Sequence, residues 1–366
     1  MKNLVRIRSD RKEDVVARAP CPEAISREGY PWPSPCEEED CFAFALRTLQ
    51  CRAFARNDNK KHLQAKSLPF LWILLLLIFL WIPVVHASNL ELKDEAGRLV
   101  TFPFPPKRIV SLAPNVTEIL FSLGLDEEIV GVSIHCNYPE KAKNKARVGS
   151  YISLDFEKIA SLSPDLIIGT GAGNTRDMVD RLGKLGFRTY VIYPKNFEDI
   201  LKSITHLGQV VNRGKEAGVI TERMRIRSRR VVELTRGLPQ PKVFIQIADA
   251  PMVTVGARSF ADDLIRLAGG ENIAGNEKEV YPRFGMEEIL KRSPDVIVIS
   301  SMNPKGDYRK ILQEWRRWRT IPAVKNGRVH LIDSDLLDRP SPRIIDGLEE
   351  LAQVLHPDQL KKKMQD

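Results

Sequence analysis

From residue 108 onward the chain alternates short apolar runs, rich in β-branched residues, with longer stretches whose apolar positions recur at helical spacing. The runs Arg108–Ala113, Ile129–Ser133, Asp165–Thr170 and Arg188–Tyr193 read as strands, and Lys242–Ala248, Val296–Ser300 and Arg328–Asp333 repeat the same grammar. Helices are predicted between them, at Asp177–Leu185, Phe260–Ala268, Met286–Lys291, Ile311–Arg319 and Ser341–Leu355. Another opens at Pro114, with Asn115 or Thr117 as its expected cap. Strand and helix in alternation predict α/β lobes built on parallel, doubly wound sheets. Gly214–Arg236 breaks the rhythm. It has no internal proline, is rich in good helix formers, and ends at Pro239-Gln240-Pro241. About 23 helical residues span roughly 35 Å, enough to cross between two lobes and to limit their swing.

The pattern also repeats. Residues 148–169 superimpose on residues 278–299 at an offset of 130: Tyr151 falls on Tyr281, Glu157 on Glu287, Ile159 on Ile289, and Ser163-Pro164-Asp165 on Ser293-Pro294-Asp295. A second echo lies upstream, where Leu123-Gly124-Leu125 resembles Ala268-Gly269-Gly270. Two similar lobes imply a cleft between them, and such clefts are where ligands bind.

Residues 60–87 join Lys60, Lys61 and Lys66 to an apolar run from Phe70 to Val85 and the small-residue box Val85-His86-Ala87. That is the build of a cleaved signal peptide, with a retained anchor as the alternative. Residues 1–59, with Cys21, Cys36, Cys41, Cys51 and the acidic run Glu37–Asp40, lack sustained periodicity. They are expected to be a disordered leader or a stretch upstream of the true translation start. An arm (88–107), an amino lobe (108–213), the bridging helix (214–238), a carboxyl lobe (239–357) and a charged tail (358–366) follow. The full chain carries +9; residues 1–87 hold 13 Lys+Arg against 10 Asp+Glu, which leaves +6 beyond them. Its densest basic stretch, Arg223–Arg230, reads as a solvated helix face, so no nucleic-acid partner is expected. Cys136 is the one cysteine left, so no internal disulfide can form.

Candidate chemistry is sparse. The loop Thr170–Arg176 sits where a dinucleotide fingerprint would, but lacks the third glycine and the acid after the next strand; it reads better as a donor-rich loop at a strand's carboxyl end. His135, His206, His330 and His356 form no metal-binding spacing, so no metal and no cofactor are expected. No nucleophile with its base announces a catalytic site. Tyr151 and Tyr281, at equivalent points of the repeat, are candidate ligand-stacking rings, with core packing as the alternative reading; Tyr138 in Asn137-Tyr138-Pro139 is a third. Asp333–Pro340 follows a strand and offers polar groups to a cleft.

Taken together, S-L-A-P-N-V-T-E at 111–118, N-Y-P at 137–139, S-P-D-L-I-I at 163–168, G-N at 173–174, L-A-G-G-E-N-I at 267–273 and S-P-R-I-I at 341–345 resemble the periplasmic substrate-binding proteins of cobalamin and ferric-siderophore ABC importers, and the cobalamin branch most. The resemblance covers residues 108–357. It implies two α/β lobes joined by one long helix, and a monomeric periplasmic receptor, not an enzyme, that hands a corrinoid to a permease with ATPase subunits. A ferric-siderophore or haem receptor, or a periplasmic enzyme on the same fold, are the alternatives. By this likeness Tyr138, Tyr151, Gly173, Asn174, Tyr281, Asp335, Asp338 and Arg339 contact the ligand. Tyr151 and Tyr281 stand where that branch has tryptophans, whereas Thr170 stands where another tryptophan is expected. Glu287 and Asp177 are the implied docking acids, Asp177 standing beside Arg176 where a glutamate is expected.

Overall fold

The computed structural model describes residues 88–363, apart from 172, 250 and 302–307. The expected leader and signal peptide lie outside the described residues. The described part opens with an antiparallel hairpin of β1 (Ser88–Lys93) and β2 (Leu99–Phe104). This segment is no loose arm. Phe102 is wholly buried, and the buried Asp94 carboxylate accepts hydrogen bonds from Val191 N and from Arg98. The hairpin is thus part of the amino lobe.

The amino lobe continues through β3 (Ile109–Ser111), α1 (Pro114–Ser122), β4 (Ile129–Val132), β5 (Ala146–Arg147), β6 (Gly149–Ser150), β7 (Ser153–Leu154), α2 (Phe156–Ser161), β8 (Leu166–Thr170), α3 (Arg176–Lys184), β9 (Thr189–Ile192) and α4 (Phe197–Val210). Its sheet runs β5-β4-β3-β8-β9, all parallel. A single helix, α5 (Gly214–Thr235), follows. The carboxyl lobe then adds β10 (Lys242–Gln246), β11 (Ala248–Asp249), β12 (Met252–Val253), α6 (Phe260–Leu267), β13 (Glu271–Asn272), α7 (Met286–Arg292), β14 (Val296–Ser301), α8 (Tyr308–Trp315), α9 (Pro322–Lys325), β15 (Val329–Asp333), α10 (Ser334–Leu337), α11 (Ile344–Leu355) and α12 (Pro357–Lys363). Its parallel sheet runs β13-β10-β14-β15.

Both sheets are buried on two faces, which is why their strands read as unbroken apolar runs. Ile109, Leu166 and Ile168 face one core cluster while Val110 and Ile167 face another. In the carboxyl lobe, Val243, Ile245, Val296 and Val298 face the first cluster and Phe244, Ile297 and Ile299 face a third. The first cluster spans both lobes through Met224 and Val231 of α5, which packs on α4 from one lobe and on α11 from the other. Arg225 pairs with Glu198 at 3.0 Å, and Arg227 with Asp346 and Glu349 at 2.7 Å, so two arginines of the basic stretch are tied to neighbouring helices.

The repeat has a physical basis. Ser163 and Ser293 both take left-handed backbone conformations, at φ 44 and 50, which turn the chain sharply into β8 and β14. The following aspartates then pin the start of the central strand of each sheet. Asp165 accepts from Lys107 N and Arg108 N at 2.8 and 2.9 Å, and Asp295 accepts from Lys242 N at 2.9 Å. Gly124 and Gly269, at φ 79 and 77, follow α1 and α6 in the conformation glycine adopts without steric cost.

Two further expectations are corrected. Neither Asn115 nor Thr117 caps α1: the cap is Ala113, with Pro114 in the first turn, where its missing N–H costs nothing. Thr117 instead donates to Ser111 Oγ at 2.7 Å or Cys136 Sγ at 3.1 Å inside the core. The charged tail begins as α12, because Leu360 is buried in the interlobe cluster.

Candidate ligand-binding cleft

In open α/β sheets the loops at the carboxyl ends of the strands line the ligand site. Here such loops from both lobes surround a cavity of about 630 Å³. The amino lobe supplies Gly171 after β8 and Tyr193 to Asn196 after β9. The carboxyl lobe supplies Arg258, Ser259 and the first residues of α6, with Val280 and Tyr281. Tyr193 and Tyr281, 42% and 46% exposed, turn part of their rings to this cavity. Gly171 is needed there by close approach: a Cβ would stand 2.8 Å from the Tyr193 ring.

The residues picked from sequence fall into three groups. Tyr281 lines the cavity directly. Asp338 faces its phenol closely enough for charge repulsion to raise the Tyr281 hydroxyl, after burial, which acts most. Asp338 is exposed by surface area, yet the surrounding protein keeps its carboxylate from full hydration. That confinement pushes its carboxyl up to about 7; Asp335 adds to the rise, and the hydrogen bond from Ser300 at 2.8 Å opposes it.

The second group extends the amino-lobe wall. Tyr151 is half-buried, its ring 5.2 Å from that of His135 and within 3.5 Å of where a Cβ on Gly173 would lie. Asn174 is turned inward. It is buried, and its Oδ1 accepts from Thr170 N at 2.9 Å. It shapes the loop beneath Tyr151 rather than presenting its amide.

The third group ties the lobes together. Glu118 of α1, 4% exposed, accepts from Arg339 at 3.0 Å, from Ser341 at 2.6 Å, and from Arg343 through two bonds of 3.0 Å. Asn137 donates to Asp335 at 3.1 Å and accepts from Arg339 at 2.7 Å. The Arg343 guanidinium lies 4.0 Å from the centre of the Tyr138 ring. Asp335 and Arg339 also pair with each other at 2.6 Å. Of these, Asp335 and Arg339, expected to face a ligand, are engaged across the lobe boundary. On the other side Asp263 of α6 accepts from Phe197 N at 2.9 Å, a second strap.

The residues 109–336 match the family of periplasmic binding proteins. The chain belongs to that family. Membership gives it a substrate-binding role outside the cytoplasm. A vitamin B12-binding protein of Vibrio cholerae is 32% identical over 262 residues, 70% of this chain and 92% of its own. An uncharacterized ABC transporter substrate-binding lipoprotein of Bacillus subtilis is 30% identical over 74% of this chain and 86% of its own. The crystal structure of the periplasmic vitamin B12 binding protein of Vibrio cholerae superimposes with a TM-score of 0.63 at 31% identity, covering 70% of this chain and 99% of that one.

Sequence reasoning passed over Tyr193, Lys195 and Arg258. Tyr193 was in view as the end of a strand, but only the fold turns it toward Tyr281. The repeat also bears on the two implied docking acids, Glu287 and Asp177, both of which are exposed. Glu287 is exposed in the first turn of α7, which leads into β14. Its counterpart is Glu157, exposed in the first turn of α2, which leads into β8. Asp177 begins α3, one unit later, and has no such equivalence. The internal repeat already held this signal.

Proposed function

We propose that this protein captures a corrinoid, cobalamin or a close relative, outside the cytoplasmic membrane and delivers it to an ABC permease. The observation that carries this reading is the pair of half-exposed rings, Tyr193 and Tyr281, contributed by opposite lobes to one cavity of about 630 Å³. Apolar faces with polar tips suit a broad, semi-polar macrocycle. The relatives named for vitamin B12, aligned over most of the chain, support the same cargo. Glu157 and Glu287 are the acids offered to the permease, because arginine guanidinium groups engage carboxylates through paired hydrogen bonds.

Calorimetry against cyanocobalamin, haem, a ferric hydroxamate and a ferric catecholate tests the cargo. Cobalamin is expected to bind with a Kd between about 1 nM and 1 μM, roughly 8–12 kcal/mol. Tyr281→Ala is expected to weaken it by about 1–3 kcal/mol. Tight binding of a siderophore or haem, with none of any corrinoid, would transfer the assignment to that ligand.

A further inference from the structure

The cavity is electrically lopsided. Four charged side chains from α6 and the residue before its cap line it, and Lys195 joins them from the other lobe. Of the two carboxylates among them, Asp263 accepts from Phe197 N and pairs with Arg266, and Asp262 accepts from the neutral amide of Asn272 at 2.8 Å, so two cations face one unpaired acid. Lys195 and Arg258 have no carboxylate partner among the described residues. The Lys195 ammonium lies 5.4 Å from the centre of the Tyr193 ring, at the edge of the wall that a ligand would meet.

Their placement is matched across the cleft. Lys195-Asn196-Phe197 leads into α4, and Arg258-Ser259-Phe260 leads into α6. In each, the basic residue precedes the cap, whose side chain accepts from a first-turn N–H, at 2.8 Å for Asn196 and 3.2 Å for Ser259. One first-turn N–H of each helix is thus taken by its cap, and the two side-chain cations stand just before those caps. Asp338 is the acid on the Tyr281 side.

We propose that Lys195 and Arg258, facing one cavity from opposite lobes, read an anionic group on the ligand and so set specificity within its class. The identity of that anion rests on the corrinoid reading above: in cobalamin it is the phosphodiester of the nucleotide loop, which cobinamide lacks. The requirement for negative charge rests on the cavity alone. Both cations are exposed at the cavity wall, and an anion held between the lobes would be attracted by both while shielded in part from water.

Protein recovered from the periplasm, and its Lys195→Gln/Arg258→Gln variant, are titrated with cyanocobalamin and with dicyanocobinamide at low and high salt. The variant is expected to lose about tenfold or more in cobalamin affinity, with cobinamide affinity unchanged and the loss smaller at high salt. Equal effects on both corrinoids, or none on either, overturn the inference while leaving the corrinoid reading intact. If neither corrinoid binds, the cargo reading fails instead. The inference is then decided by a trianionic ferric catecholate against a neutral ferric hydroxamate: selective loss of the anionic chelate supports it, and equal loss or no loss overturns it. Unchanged thermal midpoints establish that the variant is folded.

Discussion

Asp338 is the most perturbed residue of the cleft. In the native protein, burial holds its proton up to about pH 7, against about 4 for an unstrained aspartate. Between those values the folded state binds the proton and the unfolded state has released it. Stability therefore falls as pH rises through this window. Asp338→Asn removes the ionisable group but keeps the shape. The variant is expected to exceed the parent in thermal midpoint by more at pH 8 than at pH 4, as read by calorimetric scans at both values. An offset equal at both would mean that Asp338 titrates normally. The position of this residue was visible in the sequence as part of a polar loop. Its confinement was not, because that depends on Ser300, Tyr281 and Asp335 being folded around it.

Helices α2 and α7 are the duplicated elements through which the protein meets its membrane partner in this reading. Each is short, each follows a loop bearing a candidate tyrosine, and each shows a glutamate in its exposed first turn. An acid at that position gains about 0.3–1 kcal/mol from the helix terminus alone. Charge reversal separates that role from docking. Glu157→Lys and Glu287→Lys are each expected to leave ligand affinity unchanged while lowering uptake and binding to the permease, with a salt-dependent loss. Asp177→Lys is expected to leave uptake near the parental level. The reverse ranking in an uptake assay would restore Asp177 to the docking pair. The elements themselves were legible, since buried parallel strands announce themselves as apolar runs. Their ends were less so: the long helix stops at Thr235, and the segment 88–104 is a hairpin rather than an arm.

At the scale of the whole molecule, the lobes are coupled by one helix, a shared apolar cluster and two polar straps. Glu118 is central to the larger strap. Removing it takes away four hydrogen bonds and leaves Asp335 as the remaining acid beside Arg339 and Arg343, a change that costs about 1–3 kcal/mol. Glu118→Ala is expected to lower the denaturation midpoint accordingly and to enlarge the radius of gyration in small-angle scattering. The parent protein is expected to give nearly superimposable curves with and without ligand. A variant with unchanged midpoint and radius would remove the strap role, and a large ligand-induced contraction of the parent would show that the lobes hinge freely.

The sequence by itself determined the two-lobe α/β plan, the single bridging helix, and the equivalence of Tyr151 with Tyr281 and of Glu157 with Glu287. These follow from local periodicity and from comparing one stretch of the chain with another, neither of which requires knowing what packs against what. Tertiary structure decided which polar residues are free. Asn174 is turned into its own loop, and Asp335 and Arg339 are engaged by Asn137 and Glu118 from the other lobe. Tyr193, Lys195 and Arg258 are left lining the cavity. Whether a polar side chain is occupied depends on partners up to about 220 residues away, and only packing brings such partners within hydrogen-bond reach.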